Sequence, residues 1–241
     1  MLTLALRLKS INPIVVNSRQ LHGLACWLFE KNVQHSAQNK PFAVWPPNPD
    51  PSDPERGVVL RCAWLRDTPP PLAVDTLATV RLGARSFSVT AFEWTEETFE
   101  SLAKGPAVSR ADLTFRSPVF FAANGRRIVT PDPRLILGSY RRRWNEALGE
   151  SSPYRIEDDM WMVTHRAAEL HAFDLRTVKR DGGHGHEVSG FVGTMTLRVT
   201  SEEAKETFGK LLRFASYCGT GARTTYGFGA TTATFPRERD G

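Results

Sequence analysis

Cysteine is scarce in this chain. Only Cys26, Cys62 and Cys218 occur in 241 residues, far apart and without a CxxC pair. That excludes a disulfide framework and marks three buried thiols in a reducing compartment. Long apolar runs are also missing. No stretch approaches the roughly 20 residues that span a bilayer, so no spanning helix or membrane partner is expected. The first ten residues, MLTLALRLKS, alternate instead of forming the apolar core of a secretory signal, and the expected compartment is the cytoplasm. Lysine is the rare cation, 7 residues against 24 arginines. The GK[ST] ending of a P-loop is absent, which removes one common nucleotide cradle.

What remains is an ordinary globular composition, 41% hydrophobic and 24% charged, which excludes extensive disorder. The length suits one large domain or two small ones. Net charge is +5. Residues 1–108 carry 11 basic and 10 acidic side chains, residues 109–241 carry 20 and 16, so the excess lies in the second half. Arginine donates bidentately to phosphate, and the balance points to a polyanion partner.

Leu2, Leu4, Leu6 and Leu8 alternate with Thr3, Ala5, Arg7 and Lys9, the period of a half-buried strand. Ser18 is read as the N-cap of a helix whose apolar stripe is Leu21, Leu24, Ala25, Leu28 and Phe29. A short strand is expected near 41–45. The proline-rich stretch 45–57 is read as irregular, 58–66 as a strand, 72–82 as a helix and 85–94 as a strand. After a link over 95–106, a strand is expected over 111–122. A helix capped by Asp132 and opened by Pro133 follows. Strands over 161–178 and 188–199 are expected to join through KRDGGHGHE. A helix capped by Ser201 and stopped by Gly219, then a strand over 228–235, complete the chain. Each half then reads strand, helix, strand, strand, helix, strand. The expected fold is α+β, two tandem ferredoxin-like (RRM-like) domains over 1–104 and 109–241.

The stretch GTGARTTYGFG carries glycines at 219, 221, 227 and 229 around Arg223. A P-loop or Rossmann loop runs from strand into helix. This one leaves a helix and enters a strand, so the helix dipole there repels phosphate. Anion affinity must come from backbone N–H groups opened by glycine and from Arg223. The plain alternative is a turn with glycine caps. The double GxG at five-residue spacing resembles the glycine-rich signature of the RAMP superfamily of CRISPR-associated proteins. Within it, the chain most resembles the repeat-processing endoribonuclease family, Cas six. FASYCGTGARTTYGFGATT, FRSPVFF at 115–121 with the Pro131-Asp-Pro helix after it, and GFVGTM at 190–195 follow that family's order. Together they cover most of 110–235, and the first half is only weakly similar.

The resemblance implies two ferredoxin-like domains and cleavage of CRISPR repeat RNA without a metal or cofactor. The 2′-hydroxyl beside the scissile phosphate attacks it, leaving a 2′,3′-cyclic phosphate and a 5′-hydroxyl. Such chemistry needs a base, a cation for the developing charge and an acid for the leaving oxygen. His35 stands before Lys40-Pro41-Phe42, where the family often carries a catalytic histidine, and is the expected base. Lys40 is the expected cation, with His22 as the second histidine candidate. A tyrosine that some relatives place in the first helix is replaced here by Cys26 and Trp27, so the acid is unassigned. Phosphate contacts are expected from Gly219, Gly221, Arg223, Gly227 and Gly229, from Arg126 and Arg127, and from Arg141, Arg142 and Arg143. His184 and His186 with Glu187 make a poor ligand set, and no metal is expected. His165 and His171 are read as strand histidines. The implied partners are precursor and mature repeat RNA and subunits of an effector complex. Homodimerisation stays open. A non-catalytic RAMP subunit that only holds a repeat-derived RNA end is the alternative.

Overall fold

A computed structural model describes residues 1–9, 16–30, 40–71, 77–183 and 186–236. The first half holds strand β1 (Leu2–Lys9), helix α1 (Ser18–Phe29), and strands β2 (Phe42–Val44), β3 (Asn48–Asp50), β4 (Asp53–Trp64), β5 (Thr79–Leu82) and β6 (Arg85–Glu96). They form one antiparallel sheet in the order β2-β4-β1-β6-β5, with β3 also on β4. The four leucines of β1 are buried on the face that α1 covers, as their alternation requires.

Helix α2 (Phe99–Lys104) joins the halves. The second half holds β7 (Arg110–Val119), a small hairpin of β8 (Phe121–Ala123) and β9 (Arg126–Ile128), and helices α3 (Pro133–Ala147) and α4 (Asp158–Ala167). Strands β10 (Ala168–Asp181) and β11 (Glu187–Val199), helix α5 (Lys205–Cys218) and strand β12 (Thr231–Thr234) follow. Its sheet runs β10-β11-β7-β12, all antiparallel. That is the ferredoxin-like order, with β7 as the first strand between the third and the fourth. In the first half β6-β1-β4-β2 repeats the same arrangement. The fold is α+β and ferredoxin-like in both halves. Trp144, Tyr140, Phe99, Phe208 and Phe214 are fully buried in the second core. Among the described residues no helix is long and apolar enough to cross a membrane.

Several local expectations are corrected. Asn17, not Ser18, caps α1, through a capping box with Gln20; the Ser18 hydroxyl instead donates to the Asp181 carbonyl across the halves. The proline-rich stretch contains β3 and the start of β4, and Pro49 sits on an edge strand, where a missing N–H costs little. Thr79–Leu82, expected as helix, alternates exposed and buried as a strand paired with β6; residues 72–76 of that expected helix lie outside the described residues. The strand expected over 161–178 begins as helix α4, so His165 is helical and only His171 lies on the strand. Ser201 precedes a single 3-10 turn, without a side-chain cap bond, before α5. The link over 95–106 contains α2, whose Phe99, Leu102 and Ala103 pack into the second core. The second core therefore begins ahead of the boundary expected at 104–109.

Candidate functional site

The glycine-rich segment folds back on itself. Thr220 N–H donates to the Gly229 carbonyl (2.8 Å), Ala222 N–H to Phe120 (2.8 Å) and Gly229 N–H to Pro118 (3.0 Å). All four glycines have positive φ, between 66° and 81°. An added Cβ would meet Gly229 O at 2.8 Å from Gly219, Phe120 O at 2.3 Å from Gly221, Leu21 Cδ1 at 2.9 Å from Gly227 and Thr220 O at 1.9 Å from Gly229. The space beside the glycines is thus filled by the protein's own atoms, and all four are buried. On the Cβ side the glycines face the protein itself. They allow a tight crossing of two chain segments.

The crossing is braced from beneath. The Tyr140 hydroxyl, the Thr220 hydroxyl and the Thr231 hydroxyl form a buried chain with 2.6 Å steps. Burial holds the Tyr140 phenol protonated well above its ordinary range. Ser139 Oγ accepts from Gly221 N–H, and Ser117 Oγ accepts from Ala230 N–H. What the crossing presents outward is the exposed Arg223, in the left-handed region at φ 57°, flanked by the half-buried Ala222, Thr225 and Tyr226. Arg223 donates to the Gly182 carbonyl (3.1 Å) and leans on Tyr226.

The three consecutive arginines have three fates. Arg141 donates to Ile156 O, forms an ion pair with Asp158 (2.5 Å) and lies over Trp161. Arg142 is exposed, its Nε 4.0 Å from Glu146. Arg143 turns inward: its guanidinium donates to the carbonyls of Cys218, Gly219 and Gly221. Burial draws its pKa below the usual arginine range, the Cys218 side opposing that shift. Its expected phosphate contact is therefore corrected, because the cation is spent on backbone at the end of α5. Arg126 and Arg127 are exposed on β9, with Arg127 over the Phe120 ring.

The 3-10 turn Thr224–Tyr226 rests on α1 and β2, so the second half reaches the first. The His22 ring stacks on Tyr226, with centroids 3.8 Å apart and planes 10° apart. His22 Nδ1 lies 3.1 Å from the Thr225 carbonyl, which can only accept, so Nδ1 carries the proton. Nε2 then faces the Cys26 thiol at 3.4 Å. Cys26 is pushed up to about 11, first by desolvation and then by its bond with Glu30, so it stays a neutral thiol. Lys40 Nζ lies 3.7 Å from the same sulfur and forms a buried ion pair with Glu30. His22 and Cys26 stand at i, i+4 on one stripe of α1, the C-cap residue Glu30 follows at i+8, and Lys40 closes the line.

Of the expected catalytic set, His22 and Lys40 come together here. His35 lies outside the described residues, as does His184. The segment that carries His35 leaves α1 at Glu30 and returns at Lys40, two residues that are ion-paired. Sequence reasoning missed Glu30, Cys26 and Tyr226. The i, i+4, i+8 spacing from His22 was legible for the first two; nothing local links Tyr226 to α1.

A family model described as CRISPR-associated endoribonuclease Cas6 matches residues 113–231. A search of curated protein sequences finds no match. Among solved structures, the chain is similar to the product complex of a Thermus thermophilus Cas6 (TTHB231), at 26% identity and TM-score 0.80. That match covers 97% of this chain and 99% of the other. It is similar to the Cas6 (TTHA0078) product complex at 25% identity and TM-score 0.80, over 97% and 100%. The substrate-mimic complex of the latter matches at 25% identity and TM-score 0.77 over the same shares. With the ferredoxin-like order in both halves and the loop crossing onto α1, these findings make the chain a member of the Cas6 family of CRISPR-associated, RNA-cleaving endoribonucleases that process CRISPR RNA.

Proposed function

We propose that this enzyme cuts repeat RNA without a metal, by attack of the 2′-hydroxyl on the adjacent phosphate. The 2′-oxygen forms a bond to phosphorus as its proton passes to a base. The 5′-oxygen leaves and takes a proton, giving a 2′,3′-cyclic phosphate and a 5′-hydroxyl. His35 is the base in this reading. Imidazole as a group, with a free pKa near 6.5, is the side chain suited to take a proton at physiological pH. Lys40 supplies positive charge to the phosphorane.

The observation that supports the reading best is the line His22–Cys26–Lys40–Glu30 under the second half's turn. It sets a lysine at the root of the His35 segment, beside a surface that both halves build. His22 acts there as a positioning residue. Its Nδ1 proton is committed to Thr225 and its Nε2 faces Cys26, so neither nitrogen is turned to a substrate. Exposed Arg126, Arg127, Arg142 and Arg223 are the proposed phosphate contacts, and their sum makes binding depend steeply on salt.

The test is cleavage of end-labelled repeat RNA in EDTA, comparing wild type, His35→Ala, and RNA with a 2′-deoxy sugar at the cut. Wild type is expected to cut at one site, to leave the deoxy RNA intact, and to lose about 100-fold or more in rate on His35→Ala while binding is kept. Loss of cutting in EDTA that returns with a divalent cation overturns the metal-free mechanism. Full activity in His35→Ala overturns the base assignment.

A further inference from the structure

A second feature of α1 lies on the stripe beside the catalytic line and takes no part in it. Arg19, Gly23 and Trp27 follow one another at i, i+4, i+8. With Asn17, Gln20 and Leu24, and with Arg81 of β5 and Gly83 of the β5–β6 turn, they line a cleft of about 490 Å³. Trp27 is 53% exposed, the most exposed tryptophan in the described residues. The ring stands apart from the buried apolar side of α1. Gly23 forms an open floor, since an added Cβ there meets nothing within 4 Å. Among the described residues, two arginines and no carboxylate line the cleft. Both arginines are exposed, and the recorded bond of Arg81 is Nε to the Gly83 carbonyl at 3.1 Å.

An aromatic wall, a bare floor and two exposed cations fit one chemistry: a flat base beside a phosphate. An acidic peptide would pair with the arginines but leave the Trp27 face without a flat partner, whereas a nucleotide meets both. A free apolar ligand would leave them desolvated. We propose that this cleft is a stacking subsite for one unpaired nucleotide of the RNA substrate, with Trp27 as the stacking face and Arg19 and Arg81 on its phosphate. The inference rests on the RNA-processing reading. It adds a specificity-determining position at a base that is not cut.

The experiment is a binding titration with repeat RNA made uncleavable by a 2′-deoxy sugar at the cut, so that turnover plays no part. Single abasic sites are walked along the RNA against wild type, Trp27→Ala and Trp27→Phe. Trp27→Ala is expected to weaken binding about tenfold, within the range of one lost base stack. Trp27→Phe restores most of it. At one position only, an abasic site costs wild type about tenfold and costs Trp27→Ala almost nothing, because the stack is already gone. Arg19→Ala should lower the slope of log affinity against log salt by about one. Two results overturn the subsite: Trp27→Ala binding as wild type does, or every abasic site costing both proteins equally. A wild type that does not bind repeat RNA at all overturns the RNA reading itself and the subsite with it. Since Trp27 is exposed, an unchanged melting temperature in Trp27→Ala separates lost contact from lost fold.

Discussion

The two halves share one strand order but differ in what covers the sheet. In the second half, α2, α3, α4 and α5 pack into one core, where Trp144, Tyr140, Phe99, Phe208 and Phe214 are fully buried, while Phe173 on β10 stays exposed. In the first half, among the described residues, α1 is the helix that packs on the sheet. Phe92 and Trp94 of β6 pair with Leu6 and Leu4, on the leucine face, yet Trp94 is 46% exposed. The candidate chemistry, Lys40, Glu30, Cys26 and His22, belongs to the half with the thinner cover. The deep core supports the loop that touches it. The deep core and the proposed chemistry thus lie in different halves, and the line of side chains on α1 meets the loop of the second half at His22 and Tyr226.

Substitutions can break this division. The largest effect is expected from Gly229→Ala. The new Cβ would meet Thr220 O at 1.9 Å on a backbone with φ 66°, so the crossing must open. A loss above about 4 kcal/mol in denaturant melts, with expression failing first, is expected. Glu30→Gln comes next. It leaves the Lys40 ammonium buried without its counter-charge, a cost of about 3 kcal/mol in the same melts. Lys40→Met, which removes the charge, should recover much of that stability without recovering cleavage. That would separate the pair's structural role from its chemical one.

Alkali gives a smaller, graded effect. Desolvation pushes Cys62 and Cys218 up to about 12 in the folded chain, against the ordinary thiol value of 9.0. Between those values the unfolded chain has released protons that the folded chain keeps. Stability is therefore full below about pH 9 and falls as pH rises toward 12. Melting temperature against pH should show that fall, and Cys62→Val should make it shallower. The smallest effect is at Gly23, in the middle of α1 with open space around it. Gly23→Ala should stabilise by about 0.5–1 kcal/mol. Paired with Gly229→Ala, it sets a glycine kept for its surroundings against one kept by its fold.

Much of this was legible in the sequence. The leucine alternation of β1, the Asp132-Pro133 start of α3 and the stripe of α5 are all periodic signals with clear ends. The errors share a cause. Helix α4 runs into β10 at Ala167–Ala168 with no glycine or proline between them, and its Trp, Met, Val and Thr content suits a strand equally. Residues 79–82 inherit helical propensity from the alanines and leucines before them, but their pairing with β6 decides the outcome. At the site, His22, Lys40 and the loop were visible as types and spacings. The inward turn of Arg143 and the Tyr226 stack were not, because both depend on which surfaces meet after folding.

The buried Arg143 has a consequence for anything anionic that passes over the loop. The C-terminal end of a helix is a patch of negative potential, and α5 ends directly below the crossing. Three of the carbonyls there are held by one guanidinium from α3. The protein thus insulates its own platform from within. Its outer arginines are left to attract a polyanion over electrically quiet ground, without first having to cancel a repulsive floor.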